Sequence, residues 1–396
     1  MTDILEGVLI LDLSRYIAGP FGSTLLADMG AEVIRVENCG GEEDRKLGPM
    51  ISADDSTMFA AINRNKKGIT LNLRSPKGQE ILRKLVARSD VLLENFSPQA
   101  KEMLNLTYPE LKKVNPSLIV VSVSGFGLYG PLTHRVCFDS VAQAMSGLIS
   151  ITGPADGDPV KNGISVVDYC TSLYAALGIM LALYHREKTG IGQAIDLSLF
   201  DVAVALMTGY GFLAEYKLWD RIHSPAGLHP FYTYGNGFPA KDGWIFISVA
   251  SNPIWKRLCK VIGREDFISD HRFQSDYERF ENRYAIDPIV EEWVSHRTVE
   301  EASKLLDEAR VPYAPINTVA DLFTNPQVKA RDSFISIEQG DIKEFPVPGI
   351  TLKFSETPGG IKRAAPSIGG DNEAVYGKLL GLGLEELNLL KEEGVI

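Results

Sequence analysis

Along roughly the first two hundred residues the apolar positions follow two alternating rhythms. Short β-type runs are separated by helix-length segments in which apolar residues recur every third or fourth position. The runs VLILDLS, AEVIRVE, GITLNL, DVLLENF and LIVVSVSG predict strands. Between two of them, Ser75 to Ser89 predicts a helix: Ile81, Leu82 and Leu85 make one apolar stripe, Ser75 caps it and Pro76 sits in its first turn. Strand and helix in alternation predict a largely parallel sheet covered by helices, an α/β Rossmann-like layer.

Further on, the stretch NGISVVDYCTSLYAALGIML begins at Asn162, and its one acid is Asp168. Leu173, Leu177, Met180, Leu181 and Tyr184 keep helical spacing behind that acid, and Gly190 or Gly192 ends the segment after HREK. QAIDLSLF predicts another strand, followed by a helix through Leu213. The character changes near Asp220, where DRIHSPAGLHPFYTYGNG is rich in Gly, Pro and His. Beyond it FYTYG and WIFISVA predict strands, and helices are expected around Trp255–Ile262, Ile286–Ser295 and Thr298–Ala309, the last opened by a Thr298…Glu301 capping box. SFISIE and ITLKFS predict two late strands before a closing helix. The expected organisation is a large Rossmann-like domain over residues 1–220, a smaller α+β domain over 221–325, and a tail, 326–396, that returns to the first.

Composition narrows the function classes. A net charge of −11 disfavours a broad nucleic-acid footprint, which needs a basic face. Cys39, Cys137, Cys170 and Cys259 lack CxxC pairing, and the six histidines lack HxxxH or HExxH spacing, so no metal site is expected. The start has no basic segment of a signal peptide, and the apolar stretch from Ala175 to Tyr184 is bounded by Asp168 and HREKTG. A cytoplasmic protein without a membrane partner is expected. SGFGLYGP carries Gly125, Gly127 and Gly130 as GxGxxG, but it runs into Pro131 and follows a late strand, so it does not predict a dinucleotide site. No GxSxG elbow is present for a serine hydrolase.

Two features remain as candidate chemistry. Residues 63–77, NRNKKGITLNLRSPK, carry Arg64, Lys66, Lys67, Arg74 and Lys77 without an acid. A solvated basic turn and a phosphate-bearing ligand explain that pattern equally well. Asp168 reads either as a cap for the helix behind it or as a working carboxylate.

The chain resembles the class III CoA-transferase family, which includes formyl-CoA transferase and carnitine CoA-transferase. The resemblance runs through AGPFGSTLLADMGAEVIRVE, NRNKKGITLNLRSPKG, DVLLENFSP, GFGLYGP, FDSVAQAMSG, HREKTGIGQAIDLSL, VPYAPINTVADLFTNPQV and APSIGGDN. It implies a Rossmann-like large domain completed by the C-terminal tail, a smaller inserted domain, and an interlocked homodimer. It also implies Asp168 as the nucleophile. CoA and acyl-CoA are then substrates, with no permanently bound cofactor, and the partners are an acyl-CoA and a free carboxylic acid. The matching CoA-site positions are Ala18, Leu71, Arg74, Asn95 and Phe96, which tips the basic stretch towards ligand binding. Formyl-CoA transferase has an arginine where this chain has Met103, and Lys101 is the expected substitute. It also has a glutamine where this chain has Ile17, and a glycine run absent from GLHPFYTYGNG, so the acid partners are expected to differ.

The related α-methylacyl-CoA racemases carry a His-Asp pair where this chain has Phe138-Asp139, which argues for transfer over racemisation. A non-catalytic CoA-binding protein of the same fold is the other alternative. The family's route passes through an aspartyl anhydride and an aspartyl-CoA thioester. The helix N-terminus is expected to keep Asp168 ionised at neutral pH and to supply backbone N–H groups to a tetrahedral oxyanion. Asp139, Tyr16 and Tyr169 are possible supporting residues, Asp139 reading equally as a cap for its own helix.

Overall fold

The computed structural model describes residues 3–155 and 157–396, which divide into two compact units. One comprises Met1–Leu148, Asn162–Trp219 and Gln327–Ile396; the other comprises Ile149–Lys161 and Asp220–Pro326.

The first unit is built on six parallel strands: β1 (Leu9–Asp12), β2 (Glu32–Glu37), β3 (Lys66–Thr70), β4 (Val91–Glu94), β5 (Ile119–Ser124) and β6 (Ala194–Ser198). Their spatial order is β3-β2-β1-β4-β5-β6, a doubly wound sheet. The period-two alternation of a strand sends neighbouring side chains to opposite faces. Leu9, Leu11, Leu92 and Val120 pack on one side with the Pro76–Val86 helix and the C-terminal residues Val375, Tyr376, Leu387 and Leu390. Ile10, Val91, Leu93, Ile119 and Val121 pack on the other with the Ala18–Asp28 and Val166–Thr189 helices. Because both faces are covered, the strands read as continuous apolar runs, each buried Val, Leu or Ile contributing roughly 1.5–3 kcal/mol. Ser75 caps its helix as expected, accepting from the Gly78 N–H.

The C-terminal segment closes the β3 edge. Gly68 N–H donates to Asp371, Thr70 N–H to Asn372, and the Tyr376 hydroxyl to the Thr70 carbonyl. These side chains satisfy an edge strand's otherwise unpaired backbone groups. A late hairpin pairs Phe334–Gln339 with Ile342–Pro348. The second late strand was expected at ITLKFS, residues 350–355, which is irregular. Pro346 and Pro348 hid the true strand, because proline is depleted in strands except at edges.

In the second unit β7 (Tyr234–Pro239), β8 (Trp244–Val249) and β9 (Tyr313–Pro315) form an antiparallel sheet. Its core joins Trp255, Phe267, Phe273, Ile286 and Val294. The Thr298 capping box is present, with reciprocal bonds to Glu301.

One expectation about length needs correction. The Val166–Thr189 helix is, by length and composition, apolar enough to cross a membrane, because Asp168 falls in its first turn rather than interrupting it. One face of it, with Val167, Ala175, Ile179 and Ala182, is buried against the sheet and the Ala18–Asp28 helix.

Candidate active site

In an open α/β sheet the strand order reverses at one point, and the loops leaving there diverge to opposite faces. Here that point lies between β1 and β4. Beyond their C-terminal ends lies a cavity of about 380 Å³. It is walled by Tyr16 and Ala18 after β1, Asn95 and Phe96 after β4, Gly125 after β5, the Thr133–Phe138 loop, and Asp168. A larger cavity of about 1090 Å³ shares Arg15, Tyr16, Asn95, Phe96 and Ser97 with it. That cavity continues over Leu71, Asn72 and Arg74 to Cys39 and Gly394.

Small residues bring two helix starts to the first cavity. A Cβ on Gly22 would lie 2.9 Å from the Ser172 carbonyl oxygen and 3.4 Å from the Ala175 Cβ, so only glycine lets the Ala18–Asp28 and Val166–Thr189 helices approach this closely. The Ser172 hydroxyl bridges them, donating to the Asp168 carbonyl at 2.9 Å and reaching the Ile17 carbonyl at 3.3 Å. Ala18 and Asp168 therefore open onto one space.

Asp168 occupies the third position of its helix and caps nothing. The cap comes from another helix: Asp139, at the start of Asp139–Ser146, accepts from the Val167 N–H at 2.8 Å and the Asp168 N–H at 3.4 Å. Asp139 is held in turn by the Gln143 amide at 2.6 Å, whose oxygen accepts from the Asn162 N–H. Ser165, the N-cap residue, makes no side-chain capping bond. Among the described residues the Asp168 carboxyl has no hydrogen-bond partner. Burial, and after it the charge of Asp139, push its pKa up to about 7.

Two expectations are corrected here. The helix N-terminus does not keep Asp168 fully ionised at neutral pH, because burial and a like charge outweigh it. Nor are the Val167 and Asp168 N–H groups free for an oxyanion, since Asp139 holds both. Asp139 does cap a helix, but one different from its own.

Beneath the loop that carries Tyr16 lies a buried polar network. Asp12 accepts from Ser23 at 2.6 Å and Lys66 at 2.9 Å, and also from the Ser14 hydroxyl. Arg35 grips Asp44 with two bonds of 2.7 and 2.9 Å and donates to the Ser14 carbonyl; Asp44 accepts from the Tyr16 N–H at 2.9 Å. Tyr16 has φ +69°, a left-handed conformation costly for a bulky residue, and the network holds it there. Asn95 pins the same loop from β4, accepting from the Arg15 N–H and donating to the Arg15 carbonyl.

The expected residues separate accordingly. Asp168, Ala18, Tyr16, Asn95 and Phe96 line the smaller cavity, and Leu71 and Arg74 the larger. Of the basic stretch, Arg64 pairs with Asp28, Lys66 with Asp12, Lys67 with Glu32 and Lys77 with Glu393. Arg74 alone of the five forms no ion pair among the described residues. Lys101 is a correction: it is only 6% exposed, its ammonium 2.9 Å from Glu94 and 2.6 Å from the Ser122 hydroxyl, and it lines neither cavity. A buried lysine follows its nearest carboxylate, which here lies beneath the sheet's end. Tyr169 also lies off both cavity walls, its ring edge-on to Phe21 at 5.0 Å. Sequence reasoning passed over Arg15, Arg135 and Cys137, all on the smaller cavity. The adjacent His134-Arg135 pair, in a Gly/Pro-rich turn after a strand, was the available signal. Among the described residues no group of three or more His, Cys, Asp and Glu is placed to hold a metal ion.

Comparison with known proteins gives the family. The family model described as CoA-transferase family III matches residues 5–372. Succinyl-CoA–D-citramalate CoA-transferase of Chloroflexus aurantiacus is 35% identical over 99% of this chain and 98% of its own. Succinyl-CoA:glutarate CoA-transferase of Mus musculus is 34% identical over 99% of this chain and 90% of its own. Among solved structures, a CAIB/BAIF family protein from Brucella suis superposes with a TM-score of 0.83 at 32% identity, covering 96% of this chain and all of that one.

Proposed function

The chain belongs to CoA-transferase family III, and from that premise we propose that it moves CoA from a dicarboxylic acyl-CoA, of which succinyl-CoA is the first choice, to a free dicarboxylic acid, with Asp168 as nucleophile. The observation that carries this reading is the Asp168 carboxyl itself: half-buried, without a hydrogen-bond partner among the described residues and facing a cavity, while a second acid does the capping. The dicarboxylic substrates are supported by the relatives, which act on succinyl-CoA with glutarate or citramalate.

The chemistry balances without a proton or an electron carrier. An Asp168 oxygen adds to the thioester carbonyl, the C–S bond breaks, and CoA leaves as thiolate, giving a mixed anhydride. The thiolate adds to the aspartyl carbonyl and expels the donor acid as carboxylate, leaving an aspartyl-CoA thioester. The acceptor carboxylate attacks that thioester, and the released thiolate takes the acceptor's acyl carbon from the second anhydride, restoring Asp168. Burial that raises the pKa also strips water from the ionised oxygen, which makes a weak nucleophile reactive. Asn95, Phe96, Leu71 and Arg74 line the path for CoA, Arg74 offering to a phosphate a charge that is unpaired among the described residues.

The proposal includes a cytoplasmic homodimer. Leu173, Leu177, Leu181 and Tyr184 line one face of the Val166–Thr189 helix and are each more than half exposed in the single chain, a face suited to a second copy. The large domain over 1–220, the small one over 221–325 and the returning tail are kept as the working division, except that residues 149–161 group with the small domain.

Incubation with succinyl-CoA without acceptor, followed by intact-mass analysis, tests the mechanism. An adduct of CoA mass that maps to Asp168 and is released by hydroxylamine is expected. Full turnover by Asp168→Ala would refute the assignment.

A further inference from the structure

We propose that Arg135, with His134 beside it, binds the distal carboxylate of the dicarboxylic acyl group and so selects the substrate class. The inference rests on the reading of Asp168 above.

The two cavities set the direction of the ligand. They share the Arg15–Tyr16 and Asn95–Phe96 walls, and only the smaller contains Asp168. A CoA lying along the larger cavity brings its thioester over the shared wall to Asp168. The acyl group then continues to the wall that the larger cavity lacks, the Thr133–Phe138 loop.

That wall holds the uncommitted cation. Arg15, on the shared side, is spent on Glu42 at 2.9 Å. Arg135 forms no ion pair or side-chain hydrogen bond among the described residues, its guanidinium lying 5.8 Å from the Phe126 ring centre. The C-terminal end of the loop is tied to the reacting carboxylate's surroundings. Gly125 has no side chain, so Cys137 packs directly on the end of β5, and a Cβ there would collide with the Cys137 Cβ. Two residues after Cys137, Asp139 holds the N–H of Asp168 itself. The Arg135 N–H closes a turn onto the Leu132 carbonyl at 2.9 Å. The loop backbone at Arg135 is therefore held beside the cavity that Asp168 faces, and the exposed guanidinium reaches an acyl chain from there.

A planar guanidinium donates two parallel bonds to a carboxylate, and a site made for a charged group discriminates strongly against an analogue that lacks it. Binding energy gained at the distal end is then available to bring Asp168 and the thioester together.

The test uses the full-length protein, measuring the second-order rate of CoA-adduct formation from succinyl-CoA and from butyryl-CoA, which has the same carbon count without the distal carboxylate. For Arg135→Met the preference for succinyl-CoA over butyryl-CoA is expected to fall by about thirtyfold or more, with Arg135→Lys in between. Competition by free glutarate, measured as slowed labelling, is expected to weaken by about tenfold or more in Arg135→Met, while pentanoate competition does not. An equal loss with both donors, or an unchanged preference, overturns the proposal. Wild-type protein labelled by neither donor overturns the reading of Asp168 and this inference with it, whereas labelled wild type with an unchanged preference in the variant overturns the inference alone.

Discussion

Replacing Asp168 by asparagine is expected to abolish CoA transfer and to make the fold more stable at alkaline pH. The Asp168 pKa rises from 3.8 to about 7 on folding, through burial first and the Asp139 charge second. One pKa unit is about 1.4 kcal/mol, so ionising this group costs roughly 4 kcal/mol more in the fold than in the unfolded chain. Below pH 3.8 both states keep the proton and no penalty exists. Between 3.8 and 7 the unfolded chain ionises first and the penalty grows; above 7 both states are ionised and all of it is present. Asparagine cannot ionise, so the variant is expected to gain about 2–4 kcal/mol at pH 8.5 and roughly a third of that at pH 5. Urea unfolding of the ligand-free protein, followed by far-ultraviolet circular dichroism at both pH values, gives the difference between variant and wild type. Effects of the substitution that do not depend on pH cancel in that comparison. A difference that is the same at pH 5 and pH 8.5, or that favours wild type more at the higher pH, would refute the reasoning.

Two further outcomes follow from the same geometry. In wild type kcat/KM is expected to rise with pH through about 7 as Asp168 loses its proton; Asp139→Asn keeps an oxygen for the Val167 N–H but removes the charge, so the limb moves to lower pH by only part of the shift, burial being the larger cause. A limb that moves upward would contradict this. Gly125→Ala forces a methyl group against Cys137 and displaces the Arg135 loop, with roughly a tenfold loss of kcat/KM for succinyl-CoA expected. Adding Cys137→Gly should restore part of it, and a double variant no better than the single one would show that the contact does not matter.

The sheet was legible because burial on both faces leaves a continuous apolar signature in each strand, and the Ser75 and Thr298 caps because they act within three residues of themselves. The strand hidden behind Pro346 and Pro348 was not legible, because its edge position, which permits the prolines, is a tertiary fact. The same distinction runs through the site. Asp168 was legible through a resemblance, but the acid that caps its helix lies 29 positions earlier. The basic stretch looked uncompensated because the partners of Arg64, Lys66, Lys67 and Lys77 are remote in sequence. Pairing removed four of the five charges from consideration and left Arg74. Lys101 misled for the same reason, since Glu94 claims it from the neighbouring strand.

The division of labour between Asp139 and Asp168 has an evolutionary consequence. Most residues at the start of a helix are held in place by what they do for the fold, so their persistence in a lineage says little about chemistry. Position 168 is the reverse, because the folded chain gains from losing its acid while the cap stays with Asp139. Drift in a descendant that no longer needed the reaction would be drawn to that site early, with folding selection pushing in the same direction. On the proposed role of Asp168, an aspartate kept there is a record of catalytic selection, legible one sequence at a time.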